Sequence, residues 1–114
     1  KTLSHPASID SLPTSGGQED LVSMAPWAGY KLLKIQKNLS IILAVELIVA
    51  GAANQIASQN TMPGKGTIPV LKQLKKYCSF EKGDRSLEPE IREISKQIHT
   101  GKFLHIIEKF IKVE

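Results

Sequence analysis

Leu39–Ala53 reads LSIILAVELIVAGAA, and only Ser40 and Glu46 place polar side chains in it. Wound as a helix, this stretch puts apolar residues on every face, the pattern of a helix buried in a large protein or in a membrane. A membrane span needs about 20 predominantly apolar residues. This run is shorter and carries Glu46 near its middle, where a carboxylate is costly in lipid. Burial among other helices is therefore expected, and Ala50, Gly51, Ala52 and Ala53 would let neighbours approach closely. A chain of 114 residues has too few other helices to wrap this one on all sides. Other polypeptide, either copies of the chain or a separate one, is expected to cover it.

Working outward, the helical pattern extends over 25–58, with Pro26 acceptable in the first turn because its missing N–H would be unpaired there. Before it, residues 1–24 hold Pro6, Pro13, Gly16 and Gly17 among Ser and Thr, which predicts an extended loop that needs a surface to lie on. After it, Ser58 to Pro69 (SQNTMPGKGTIP) breaks regular structure with two glycines and two prolines.

Ile68 to Phe80 then spaces Ile68, Val70, Leu71, Leu74, Tyr77 and Cys78 as a helix, with Lys72, Gln73, Lys75 and Lys76 on its wet face. Gly83 and Asp84 interrupt it. Pro89 fits the first turn of a further helix in which Ile91, Ile94 and Ile98 recur at three and four, ending at Thr100 and Gly101. Lys102 to Glu114 places Phe103, Ile106, Ile107, Phe110 and Ile111 opposite Lys109 and Lys112 and reads as a docking helix. No alternating strand pattern is present. The fold class is all-α: a long central helix in a helical bundle, two or three shorter helices, and an N-terminal extended loop. The expected divisions are 1–24 (loop), 25–58 (central helix) and 59–114 (C-terminal helical region), together one domain-sized piece.

A formal net charge of +4 and 41% hydrophobic residues fit one small domain with a modest core. The single cysteine, Cys78, cannot form an internal disulfide, and no export signal is visible, which points to the cytoplasm. Cys78 reads as a small buried hydrophobe. His5, His99 and His105 are scattered without acidic or thiol partners at useful spacing, so no metal and no histidine catalysis are expected. Lys72, Lys75, Lys76, Lys82 and Arg85 form a basic region, but acidic residues follow from Glu81 and aromatic interleaving is absent. A solvated face is expected rather than nucleic-acid binding. The nearly balanced charge of the last helix favours docking on protein over lying on a membrane.

His5–Gly29 (HPASIDSLPTSGGQEDLVSMAPWAG) is similar to the stretch of histidine ammonia-lyases running through PAS-D-PTS and QED-VSM. Lys31–Ile56 resembles the family's long central helix, and Gly83–Ile91 (GDRSLEPEI) resembles its D-R-x-L-x-P-[DE]-I segment. The resemblance thus covers nearly the whole chain, in order, and identifies it with the C-terminal part of such enzymes. It implies elimination of ammonia from an amino acid, giving urocanate from histidine, by an electrophilic methylidene-imidazolone that forms from an internal Ala-Ser-Gly. This sequence contains no Ala-Ser-Gly. The family's upstream tyrosine base is also absent. No catalytic residue is therefore assigned here, and the chain is expected to be inactive alone.

By the same resemblance Glu19, with Gln18 beside it, matches the carboxylate that faces the substrate side chain. A carboxylate accepts hydrogen bonds from an imidazole and favours its charged form. Glu19 and Asp20 equally suit the N-terminus of the following helix through its dipole, and the two readings are compatible. Gly17 stands where the family usually has Asn, and Leu21 where it usually has His. Glu46 reads as a carboxylate paired with a polar group on a neighbouring helix. Trp27 and Tyr30 read as packing anchors at a helix start, with pocket lining as the other reading.

The implied partners are further copies of the chain, a separate chain carrying the N-terminal lyase portion, or both, with no nucleic acid and no membrane. A non-catalytic helical oligomer derived from a degenerate lyase is the alternative.

Overall fold

The computed structural model describes residues 1–57, 62–80 and 84–110. Among them the regular structure is helical: α1 (Ala25–Ala57), α2 (Thr67–Leu74), α3 (Glu88–His99) and α4 (Lys102–Ile107), preceded by short 3-10 turns at Ala7–Asp10 and Ser15–Gly17. The all-α expectation holds. The chain divides into two compact units, Lys1–Leu39 and Ser40–Glu114, and α1 contributes to both.

At 33 residues, α1 starts at the expected position and runs to Ala57, the last expected position, Ser58, lying outside the described residues. Its length corresponds to roughly 50 Å at 1.5 Å per residue. In length and composition α1 could also cross a membrane. The shortness of Leu39–Ala53 is thus a weaker objection than it looked, because the helix runs well past that stretch at both ends. Glu46 remains in its apolar middle.

In the first unit, residues 1–24 follow an irregular path rather than a uniformly extended one. Ala7 is buried and is the anchor of the segment. Ala28 N–H donates to Met24 O at 2.9 Å, and Ala25 N–H reaches Ser23 Oγ at 3.4 Å, so Ser23 helps to satisfy the donors that open α1.

In the second unit the core consists of Ala44 and Ile48 of α1, Leu74, Cys78, Ile94 of α3 and Phe103 of α4. Leu47, Val70, Tyr77, Phe80, Leu87, Ile91 and Ile98 pack around it. The three-and-four spacing of Ile91, Ile94 and Ile98 is what turns one face of α3 inward. Packing of α4 on α2 and α3 closes the arrangement. Cys78 is the buried hydrophobe expected of it. Burial raises its thiol pKa, the nearby Glu90 adds to the rise, and Arg85 opposes it.

Several boundaries differ from the sequence reading. α2 starts at Thr67, one residue before the expected Ile68, and Pro69 is tolerated in its first turn. Its end at Leu74 falls short of Phe80. Lys76 N–H to Gln73 O (3.2 Å) and Tyr77 N–H to Leu74 O (2.9 Å) tighten the chain into a turn. The apolar spacing continued because Tyr77 and Cys78 still fold back onto the core, although the backbone has left the helix. α4 ends at Ile107 and a turn follows to Phe110; Ile111, Lys112 and Glu114 lie outside the described residues, as do Gly83, Lys82 and Glu81.

Much of α1 is left exposed by the rest of the chain, as the shortage of other helices to wrap it implied. Ser40, Ala44, Ile48 and Gly51 are buried, whereas Leu39, Ile42, Val49 and Ile56 are half exposed or more. Glu46 also faces solvent, so the neighbouring-helix partner expected for it is not among the described residues.

Candidate functional site

Gln18 and Glu19 occupy a loop whose ends are tied together twice. Ser11 Oγ accepts from Val22 N–H at 3.0 Å and lies 3.3 Å from Val22 O, to which its hydroxyl donates. Further in, Thr14 and Glu19 exchange backbone hydrogen bonds, Thr14 N–H to Glu19 O at 3.0 Å and Glu19 N–H to Thr14 O at 3.4 Å. Thr14–Glu19 is an isolated antiparallel bridge. Beyond the inner rung the tip turns back through Ser15, Gly16 and Gly17, all with positive φ (56°, 65° and 87°). Two glycines here relieve a conformation that side chains with a Cβ disfavour.

The tip presents Gln18 and Glu19 to solvent, and neither side chain is hydrogen-bonded among the described residues. A carboxylate and an amide displayed this way can orient a cationic or N–H-bearing ring, but offer no nucleophile and no proton relay of their own. The helix-dipole reading of Glu19 and Asp20 loses ground. α1 begins at Ala25 and has no acid in its first turn, and the dipole's influence falls off within that turn.

The sequence reading missed the loop's fastenings. Ser11 carried no motif beyond its place in the PAS-D-PTS run, and its partner Val22 is eleven residues away. Trp27 and Tyr30 correct the packing-anchor reading: both are exposed and line a cleft beside the start of α1, the alternative left open for them.

In the second unit, Arg85 donates to Ser79 O at 2.6 Å and to the Glu90 carboxylate. Arg85 therefore belongs to a fixed contact rather than to a solvated basic face. Glu90 sits in the first turn of α3, where the dipole also favours an anion. Its carboxyl pKa is lowered, chiefly by the hydrogen bond from Arg85. His105 lies 3.7 Å from Glu108 on the surface, a pairing one helical turn apart that the sequence reading overlooked.

No group of three or more His, Cys, Asp or Glu residues placed to hold a metal occurs among the described residues. Nor does this chain hold the Ala-Ser-Gly from which a methylidene-imidazolone would form, so no chemical step is assigned to that group here.

Comparison with known proteins places these features in context. The sequence profile described as aromatic amino acid lyase matches residues 1–76. A histidine ammonia-lyase from Chloroflexus aurantiacus is 43% identical over 107 residues, covering 90% of this chain and 20% of that protein. One from Streptococcus sanguinis is 37% identical over 113 residues, covering 97% of this chain and 22% of the relative. A crystal structure of tyrosine aminomutase from Streptomyces globisporus superposes with a TM-score of 0.85 at 24% identity, over 96% of this chain and 21% of that one. The chain thus spans about a fifth of the length of the relatives it matches.

Proposed function

The chain belongs to the aromatic amino acid lyase family, and from that premise we propose that it is the C-terminal part of a histidine ammonia-lyase-like enzyme. In this reading it supplies one wall of the active site and part of a helical bundle. The electrophile and the base come from polypeptide outside this sequence, and the chain alone is inactive. The observation that carries the proposal is the Gln18–Glu19 tip, held out by the Ser11–Val22 and Thr14–Glu19 rungs. Glu19 would accept a hydrogen bond from the substrate's imidazole and favour its charged form. Gln18 would stand beside it as an amide donor.

The same reading gives α1 its cover. Leu39, Ile42, Val49 and Ile56, its exposed apolar residues away from the first turns, would pack against the remainder of the lyase and against other copies, in a cytoplasmic assembly working in histidine breakdown. Glu46 favours this over a lipid environment, since an uncompensated carboxylate at mid-helix is costly there.

The test is reconstitution. Mixed with a polypeptide bearing the Ala-Ser-Gly portion of a related lyase, the chain should restore formation of urocanate from histidine, followed by its ultraviolet absorbance, while neither part is active alone. Glu19→Gln should lower kcat/KM by about tenfold, the scale of one charge-assisted hydrogen bond. Failure to restore activity with every such partner removes the proposal.

The bare apolar residues of α1 also favour a second reading, a non-catalytic helical oligomer. It requires strong self-association without any partner, and a well-folded monomer in analytical ultracentrifugation rules it out.

A further inference from the structure

We propose that the cleft at the start of α1 binds a small planar organic anion, a carboxylate attached to a ring. The cleft has a volume of about 490 Å³ and is lined by Leu3, His5, Trp27, Tyr30, Lys31 and Lys34, completed by two residues at the start of the chain. Small-molecule sites fall in the range of about 300–1,000 Å³. The four residues from α1 stand at i, i+3, i+4 and i+7, so their side chains project from one helix face. Opposite them the first residues of the chain form a turn, with Ser4 N–H and Ser4 Oγ donating to Lys1 O at 3.0 and 2.7 Å. The Lys31 ammonium donates to His5 O and fastens that turn to the helix.

The chemistry of the lining selects the ligand. Lysines are present and neither Asp nor Glu is, so an anion is favoured and a cation repelled. Lys31 uses one of its three donors on His5 O, and Lys34 makes no hydrogen bond or ion pair among the described residues. Both can reach a carboxylate by charge-assisted hydrogen bonds. Trp27 and Tyr30 are 49% and 64% exposed, leaving ring surface for an aromatic ligand to stack on. An inorganic anion would satisfy the lysines and leave that apolar surface wet. A neutral ring would do the reverse.

Trp27 is the chain's single tryptophan, so its emission reports on this cleft. The full chain is titrated with benzoate and, separately, with benzamide, its uncharged counterpart of nearly the same shape. Benzoate should give a saturable change in emission with a dissociation constant about fivefold or more below that of benzamide, the scale of one partly exposed charge contact. Lys34→Gln should remove most of that difference, and Lys34→Glu should make benzoate the weaker ligand. Lys72→Gln, on exposed α2 surface, should change neither. Equal binding of the two compounds, a response that never saturates, or no effect of the Lys34 substitutions would overturn the proposal.

Discussion

Gly51 lies against the ring of Phe80 so closely that a Cβ carried on residue 51 would sit 2.5 Å from Phe80 Cζ and 2.8 Å from Leu74 Cδ2. Glycine inside a helix usually sacrifices about 1 kcal/mol relative to alanine. Here the balance reverses, because Leu74 is only 1% exposed and has no room to retreat. Overpacking costs about 1–3 kcal/mol. Gly51→Ala should therefore destabilise the chain by up to about 2 kcal/mol net, read from urea unfolding. Combining it with Phe80→Leu should recover part of the loss, since the two sites share one contact. A Gly51→Ala variant more stable than wild type would show that Phe80 moves aside freely.

The turn before Glu19 gives a second prediction. Gly17 has φ of 87°, and a Cβ there would meet nothing within 4 Å, so the backbone rather than crowding decides what is tolerated. Alanine at 17 should cost about 1 kcal/mol in forming the loop. Asparagine should cost less, because it visits left-handed backbone more readily. This also explains how the Asn usual in the family and the Gly found here can serve the same turn. Amide hydrogen exchange at Glu19 should quicken in Gly17→Ala and stay close to wild type in Gly17→Asn; the reverse order would show that the positive φ does not govern the loop.

How much of this could be read from sequence depended on whether a signal was local. Pro26 marked the start of α1, and Pro89 with Thr100–Gly101 bounded α3, because caps and breakers act on the residues beside them. Gly101 has φ of 73°, as a left-handed helix terminus requires. The end of α2 was hidden because Tyr77 and Cys78 kept helical spacing while serving a turn. Glu46, Trp27 and Tyr30 were misjudged for another reason: exposure depends on what covers a residue, and sequence spacing does not say whether the cover lies in the same chain. The requirement that α1 be wrapped is unmet within this chain, which spans about a fifth of the length of its relatives. For the candidate site, resemblance pointed to Gln18 and Glu19, but the clamp that displays them links residues eleven apart and left no periodic trace.

The Arg85–Glu90 contact predicts an acid-dependent part of stability. Arg85 lowers the carboxyl pKa of Glu90 in the folded chain. A lowered folded pKa means that the contribution is fully present above the ordinary glutamate value, about 4.3. It is lost as pH falls through the lower folded value. The urea midpoint of wild type should drop relative to that of Glu90→Gln as pH is taken from neutral into this acid range, other carboxylates titrating alike in both. High salt should shrink the difference, because the pair is partly exposed. Parallel pH profiles for the two proteins would mean that the contact does not survive in solution.

Ser11 is the position where a single atom tests whether the loop's shape matters to function. Its hydroxyl serves both polar groups of Val22, so Ser11→Ala leaves Val22 N–H and C=O without that partner. Losing such hydrogen bonds in a partly buried place costs about 1 kcal/mol each, together enough to raise local opening of the loop about thirtyfold. Val22 and Glu19 amides should exchange faster in Ser11→Ala, while those of Ile94 and Leu74, in the core of the other unit, should not change. Ser11→Thr keeps the hydroxyl and should behave as wild type. In the reconstituted lyase, loosening the tip that carries Glu19 should raise KM for histidine without harming assembly. Unchanged exchange at Val22 would show that the Thr14–Glu19 rung suffices to hold the loop. Faster exchange with unchanged KM would separate the loop's order from substrate binding, and with it the role given to Glu19.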